Sequence, residues 1–213
     1  MKYTYTEELI KRMPELSPCE EAIKAAVSLI VNCHKNGGKI LLAGSGGSAA
    51  DCEHISGEFL KGFLLKRTPE GEELKALTEA VGEETALMLQ GGIRAIPLVS
   101  LSAVSTAFAN DVDPTLTFAQ ETYALGQKGD VLIGISTSGN SKSVLLAGKV
   151  AKAIGVGVIS LTGEGGGKIS EIADIKIKAP HKETYRIQEY HLPIYHAICA
   201  DCEDIIFGKT NQF

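Results

Sequence analysis

The ten residues from Lys39 to Ser48, KILLAGSGGS, decide how the rest of the chain is read. Ile40 to Ala43 form a short apolar run between the turn Asn36-Gly37-Gly38 and a glycine-rich segment, the pattern of a buried strand. From Gly44 the sequence GSGGSAADCEHISGEFLKGF turns sharply and opens a helix. Strand, glycine-rich turn and helix in direct succession make up the first half of a βαβ unit.

The same beat recurs downstream. Strands are expected at AIPLVSL (95–101), DVLIGIS (130–136), GVGVISLT (155–162) and DIKIKA (174–179), with helices at 114–126 and 141–153 and a long helix at the C-terminal end starting after Tyr185. Short strands that are apolar on both faces and alternate with helices indicate a parallel sheet covered on both sides. The expectation is one α/β domain over 1–213 with five parallel strands in flavodoxin-like order. Upstream, apolar positions at helical spacing over residues 5–35, interrupted at Pro14 and Ser17-Pro18, predict an N-terminal helical hairpin covering 1–35. Residues 67–93 are more polar, begin near Thr68-Pro69 and end at Gly91-Gly92, which reads as a helical excursion, either lid or spacer.

The bulk properties exclude several classes. With 213 residues, 44% hydrophobic and 22% charged, the chain has the composition of a folded globular domain. Its formal charge of −5 carries no electrostatic footprint for nucleic acid. No stretch approaches the roughly 18 uninterrupted apolar residues of a membrane span, and the first residues lack a signal-peptide core, so no membrane association and a cytoplasmic location are expected. Five cysteines, Cys19, Cys33, Cys52, Cys199 and Cys202, fit reduced thiols better than a disulfide framework. Cys199 and Cys202 form a CxxC, but they sit in an apolar helical stretch, where core packing is the better reading.

In open parallel sheets, ligands bind beyond the carboxyl ends of the strands, where strand order reverses. Two polar turns fall at such ends. The first, Gly44-Ser45-Gly46-Gly47-Ser48, puts glycines where the backbone must approach a ligand and a hydroxyl at a helix start, whose free N–H groups hold an anion without a lysine. The second, Ser136-Thr137-Ser138-Gly139-Asn140-Ser141, offers four hydroxyls around one glycine. Each alone could be capping chemistry; paired, they read as the two sides of one phosphate site. His54 and Glu58 stand one helical turn apart behind the first loop, a base, a metal-ligand pair or a surface ion pair. Gln188 and His196 would lie about 12 Å apart on one straight helix. Pro193 therefore points to a helix starting near Glu189 or Tyr190, with Gln188 on the preceding loop, unless the two act from different subunits. Asn110 and Asp111 read equally as substrate contacts or as caps before Pro114.

The pairing of GSGGSAAD with GISTSGNS resembles the sugar isomerase (SIS) domain, and ETYRIQEYHLPIYHAICADCED resembles the RIQE…H segment of the phosphoheptose isomerase family. The resemblance covers nearly the whole chain outside 67–93. It implies an aldose–ketose isomerase that acts on sedoheptulose 7-phosphate through an enediol. It further implies phosphate contacts at Gly46, Gly47, Ser48, Ser136, Thr137, Ser138 and Ser141, and an acid/base pair at Glu58 and His196. In some members the positions of His54, Glu58, Gln188 and His196 hold zinc. A homotetramer with sites at subunit interfaces is implied as well. His191 has no such counterpart and is expected to be structural.

Four positions depart from the family pattern. Ser45 replaces an asparagine, Leu101 lies near a usual aspartate, Gly62 replaces an arginine, and Tyr185 stands where some members have an acid. These touch sugar-hydroxyl contacts more than the acid/base pair, so isomerisation or sensing of another phosphosugar is the first alternative. A non-catalytic SIS protein that binds a replication-initiator-type partner is the second. The four groups at 54, 58, 188 and 196 favour catalysis.

Overall fold

The computed structural model describes residues 1–208. Five strands, β1 (Ile40–Ala43), β2 (Ala95–Pro97), β3 (Val131–Ile135), β4 (Gly157–Gly163) and β5 (Ile175–Ala179), form one all-parallel sheet in the order β2-β1-β3-β4-β5. That is the flavodoxin-like order, with the switch point between β1 and β3. The register pairs Ala43 with Gly134, so the loops after β1 and β3 emerge side by side.

Alternation along the strands divides the core. Ile40, Leu42, Val131, Ile133 and Ile135 face a cluster completed by α1 (Thr4–Arg12), α2 (Glu20–Lys35), α3 (Gly47–Leu60) and α10 (Thr184–Phe207). Leu41, Ala43, Leu132 and Val158 face the other side, under α7 (Thr117–Leu125), α8 (Lys142–Ala153) and α9 (Gly167–Ile172). The N-terminal helices α1 and α2 flank the 3-10 turn Pro14–Cys19. Helix α1 has no capping side chain of its own. Asp201 of α10 fills that role, accepting from the N–H groups of Tyr5 (2.9 Å) and Thr6 (3.0 Å), and so fixes α1 against α10.

The excursion consists of α4 (Gly71–Val81) and α5 (Glu83–Met88), and α4 buries no residue. Two expectations need correction. The strand at 95–101 is only three residues long and gives way to a 3-10 turn at Leu98–Ser100 and to α6 (Ser102–Asp111). It is an edge strand, and Pro97 has no N–H with which to continue a ladder. Helix α10 begins at Thr184 rather than near Glu189, and it runs through Pro193. Burial of Ile194, Tyr195 and Ile198 on this helix outweighs the hydrogen bond that Pro193 cannot make. Among the described residues no helix is long and apolar enough to cross a membrane.

Candidate active site

The first loop turns at Gly46, whose φ of +62° lies in the region that L side chains avoid. At Gly47 a Cβ would come within 3.0 Å of Gln188 Cδ, so the Gln188 amide lies directly over the loop. Ser48 is buried in the first turn of α3, where backbone N–H groups have no intrahelical partner. The second loop is folded on itself. Gly139 N–H donates to Ser136 O (2.9 Å) and Asn140 N–H to Ser138 Oγ (3.2 Å). Lys168 N–H donates to Asn140 Oδ1 (3.2 Å), tying the loop to the start of α9. Ser141 caps α8 by position, and Ser136 is nearly buried behind it. Both loops thus open at neighbouring strand ends at the switch point, where an anion can be held by hydroxyls and N–H groups.

One to three turns down α3 lies the second half of the site. His54 Nε2 is 3.3 Å from Glu58 Oε1 and 3.3 Å from His196 Nε2, which bring together α3 and α10 across 142 residues. The Tyr195 hydroxyl lies 3.0 Å from His54 Nδ1, and the two rings meet edge-on at 5.4 Å. The Lys61 ammonium is 3.4 Å from Glu58 Oε2, and Phe63 packs on the His196 ring at 5.5 Å. Burial pushes the His196 pKa below the usual imidazole value, with the neighbouring His54 and Arg12 acting in the same direction, so His196 is neutral at pH 7. Burial raises the Asp51 carboxyl, and it also raises the Tyr195 phenol, with Asp51 the next cause. A cavity of about 240 Å³ opens beside His196, lined by Glu8, Arg12, Phe63, Leu64 and Pro193.

The segment after Glu58 is clamped from α10. Glu203, almost fully buried, accepts from Phe63 N–H (2.8 Å), Leu64 N–H (2.7 Å) and Arg67 Nε (2.6 Å). Arg67 in turn donates to Phe59 O (2.7 Å) and Glu58 O (2.9 Å). A buried ion pair with this many hydrogen bonds fixes the backbone that carries Glu58.

The expected residues fall into two groups. His54, Glu58 and His196 meet; Gln188 does not join them within one chain, because the unbroken helix puts it about 12 Å along the axis from His196. Asn110 and Asp111 end α6 and bond each other (2.8 Å), while Asp113 is the cap, accepting from Thr115 N–H (2.7 Å). His191 is fully buried with Nε2 3.3 Å from Thr162 O, and desolvation lowers its pKa to about 4, as suits a structural residue. Cys199 and Cys202 are free and buried in the core, and burial raises both thiols. Three participants went unforeseen: Asp51, Tyr195 and Arg12. Asp51 stands three residues before His54 on the same helix face and was open to the same spacing argument; Tyr195 and Arg12 reach the site only through tertiary packing.

The donor types His54, Glu58 and His196 suit zinc, and 3.3 Å matches the ligand–ligand edge of a tetrahedron with bonds of about 2.0–2.1 Å. Only the two contacts through His54 have this spacing, and among the described residues no three His, Cys, Asp or Glu are already disposed around one point.

Residues 4–163 match the SIS domain family model. The phosphoheptose isomerase 2 of Campylobacter jejuni is 42% identical over 187 residues, 88% of this chain and 82% of that protein. The phosphoheptose isomerase of Aneurinibacillus thermoaerophilus is 38% identical over 191 residues, 90% of this chain and 84% of its own. The solved phosphoheptose isomerase of Neisseria gonorrhoeae superposes with a TM-score of 0.71 at 35% identity, covering 91% of this chain and 93% of that one. With the two loops at the switch point and the His–Glu–His cluster behind them, the chain belongs to the SIS domain family, among its phosphoheptose isomerases.

Proposed function

We propose that the chain converts sedoheptulose 7-phosphate into D-glycero-D-manno-heptose 7-phosphate by proton transfer through an enediol. The observation that carries this reading is the meeting of Glu58 and His196 around His54, on the helix that the first phosphate-type loop opens. Hydroxyls of Ser48, Ser136, Thr137, Ser138 and Ser141, with N–H groups at Gly46 and Gly47, hold the phosphate. Gln188, over Gly47, contacts the substrate from above the same loop. Asn110 and Asp111 supply further polar contacts to the sugar.

With the phosphate anchored, C1 and C2 are held against Glu58. The Glu58 carboxylate takes a proton from C1 of the open-chain ketose and returns one to C2. The C2 carbonyl becomes a hydroxyl and the C1 hydroxyl becomes a carbonyl, so a proton must also pass from O1 to O2. A neutral imidazole can accept at one oxygen and donate at the other, and burial keeps His196 neutral. Zinc, held by His54, Glu58 and His196 with Gln188 from a second copy, would polarise the carbonyl when bound. That division of ligands requires a second copy of the chain, and the assembly we propose is a homotetramer with sites at subunit interfaces. A phosphosugar substrate and a chain without a membrane-crossing helix among its described residues suit the cytoplasm.

The test is turnover of sedoheptulose 7-phosphate by the purified protein, metal-stripped and zinc-restored, with the aldoheptose phosphate followed by NMR. Product that depends on zinc supports the whole reading; product without zinc removes the metal and leaves Glu58 and His196 as a metal-free pair. No product in either state, beside turnover of a pentose or amino-sugar phosphate, overturns the substrate.

A further inference from the structure

We propose that Asn140 is the positioning residue of the second phosphate-type loop: its side-chain amide holds the Ser138 carbonyl back, so that the loop presents donors alone to an anion. The proposal rests on the reading of this loop as a phosphate site and names what gives the loop its polarity.

Each carbonyl of an anion-binding loop is a partial negative charge close to the ligand, so it has to be satisfied elsewhere. Between Ser136 and Gly139 every carbonyl has a donor within the protein. Ser136 O accepts from Gly139 N–H (2.9 Å), Thr137 O from Gly163 N–H (2.9 Å) and Gly139 O from Ile169 N–H (3.0 Å). For Ser138 O the donor is a side chain, Asn140 Nδ2, at 3.0 Å. Oδ1 of the same amide accepts from Lys168 N–H (3.2 Å). These partners fix which way the amide is turned, since a carbonyl only accepts and an N–H only donates. By contrast, the N–H groups of Thr137 and Ser138 have no protein partner among the described residues. Ser138 Oγ accepts from Asn140 N–H (3.2 Å), which leaves its hydroxyl proton to give.

Sterics alone do not impose this polarity. The peptide between Ser138 and Gly139 ends on a glycine with φ of +65°, and glycine adopts either sign of φ, so no Cβ opposes its rotation. Apart from the turn bond of Gly139 N–H, the Asn140 amide is its hydrogen-bonded tether among the described residues. Asn140 is itself exposed, and the N-cap position of α8 belongs to Ser141. Loss of an exposed side chain costs the fold little. The amide therefore serves the site more than the fold.

The test compares the parent with Asn140→Ala and Asn140→Asp in the full chain, by kinetics on sedoheptulose 7-phosphate and by ³¹P NMR titration with inorganic phosphate. Asn140→Ala is expected to raise KM, and to weaken inorganic phosphate, by about tenfold, roughly the worth of one hydrogen bond to an anion. Its kcat should be nearly kept and its unfolding midpoint unchanged. Asn140→Asp keeps an acceptor for Lys168 N–H but has no donor for Ser138 O, so it should weaken phosphate at least as far. Loss of kcat at constant KM, loss of stability at constant phosphate affinity, or variants that bind as the parent does would each overturn the proposal. A parent that binds no phosphate overturns the reading of the loop, and the proposal with it. The titration needs no turnover, so failure of the assigned reaction is recognised separately.

Discussion

The site has two ends built on different principles. At the phosphate end, the loops at 44–48 and 136–141 leave adjacent strands and act through backbone N–H groups and short hydroxyls that lie within a few residues of their own strands, with the second loop tied to the start of α9. At the proton-transfer end, His54 and Glu58 meet His196 only because α10 is laid across α3 by long-range clamps, Asp201 on α1 and Glu203 on Arg67. The phosphate end is thus as robust as the sheet, whereas the proton-transfer end depends on the seating of one helix.

Substitutions can separate the two ends. Glu58→Gln should lower kcat by about 10²–10⁴-fold with KM nearly unchanged, since it removes the base and leaves the anchor; steady-state kinetics check it. Arg67→Met should destabilise the fold by about 3–5 kcal/mol, because it strands the buried Glu203 carboxylate beneath the segment that follows Glu58. Denaturant unfolding measures this, and residual activity in the folded fraction should fall through kcat rather than KM.

Acid should loosen the seating of α10 in a defined window. His191 is neutral in the fold with its pKa lowered from 6.5 to about 4, so between these values the unfolded chain binds the proton more readily. Stability is full above pH 6.5 and falls as the pH drops toward 4, by on the order of 3 kcal/mol from this group. Unfolding free energies across that range should show a shallower slope in His191→Gln. The smallest effect belongs to the phosphate end: Ser136→Ala should raise KM by an amount equivalent to about 1.5–3 kcal/mol, the value of one hydrogen bond to a charged group, with kcat nearly kept. Loss of kcat instead would show that the two ends are not separable.

The same contrast governs what the sequence could disclose. KILLAGSGGS and GISTSGNS announce strand, turn and helix locally, and a parallel sheet follows from the alternation of elements. Helix α6 is not read from the sequence because SAVSTAFAND buries none of its residues and follows closely on an edge strand of only three residues, so the apolar run at 95–101 reads as one longer strand. The start of α10 was misplaced because Pro193 reads as a first-turn residue, and only tertiary packing carries a helix through it. His54 and Glu58 were visible as an i, i+4 pair, but Tyr195 and Arg12 have no local signal that links them to α3.

The measurement that bears most directly on the central claim is isomerisation of sedoheptulose 7-phosphate in D₂O by the parent protein and by Glu58→Gln. Proton transfer by Glu58 predicts deuterium at C2 of the aldose and at C1 of recovered ketose, with both lost in the variant. Equal turnover by the two proteins, with the original hydrogen retained throughout, would contradict it.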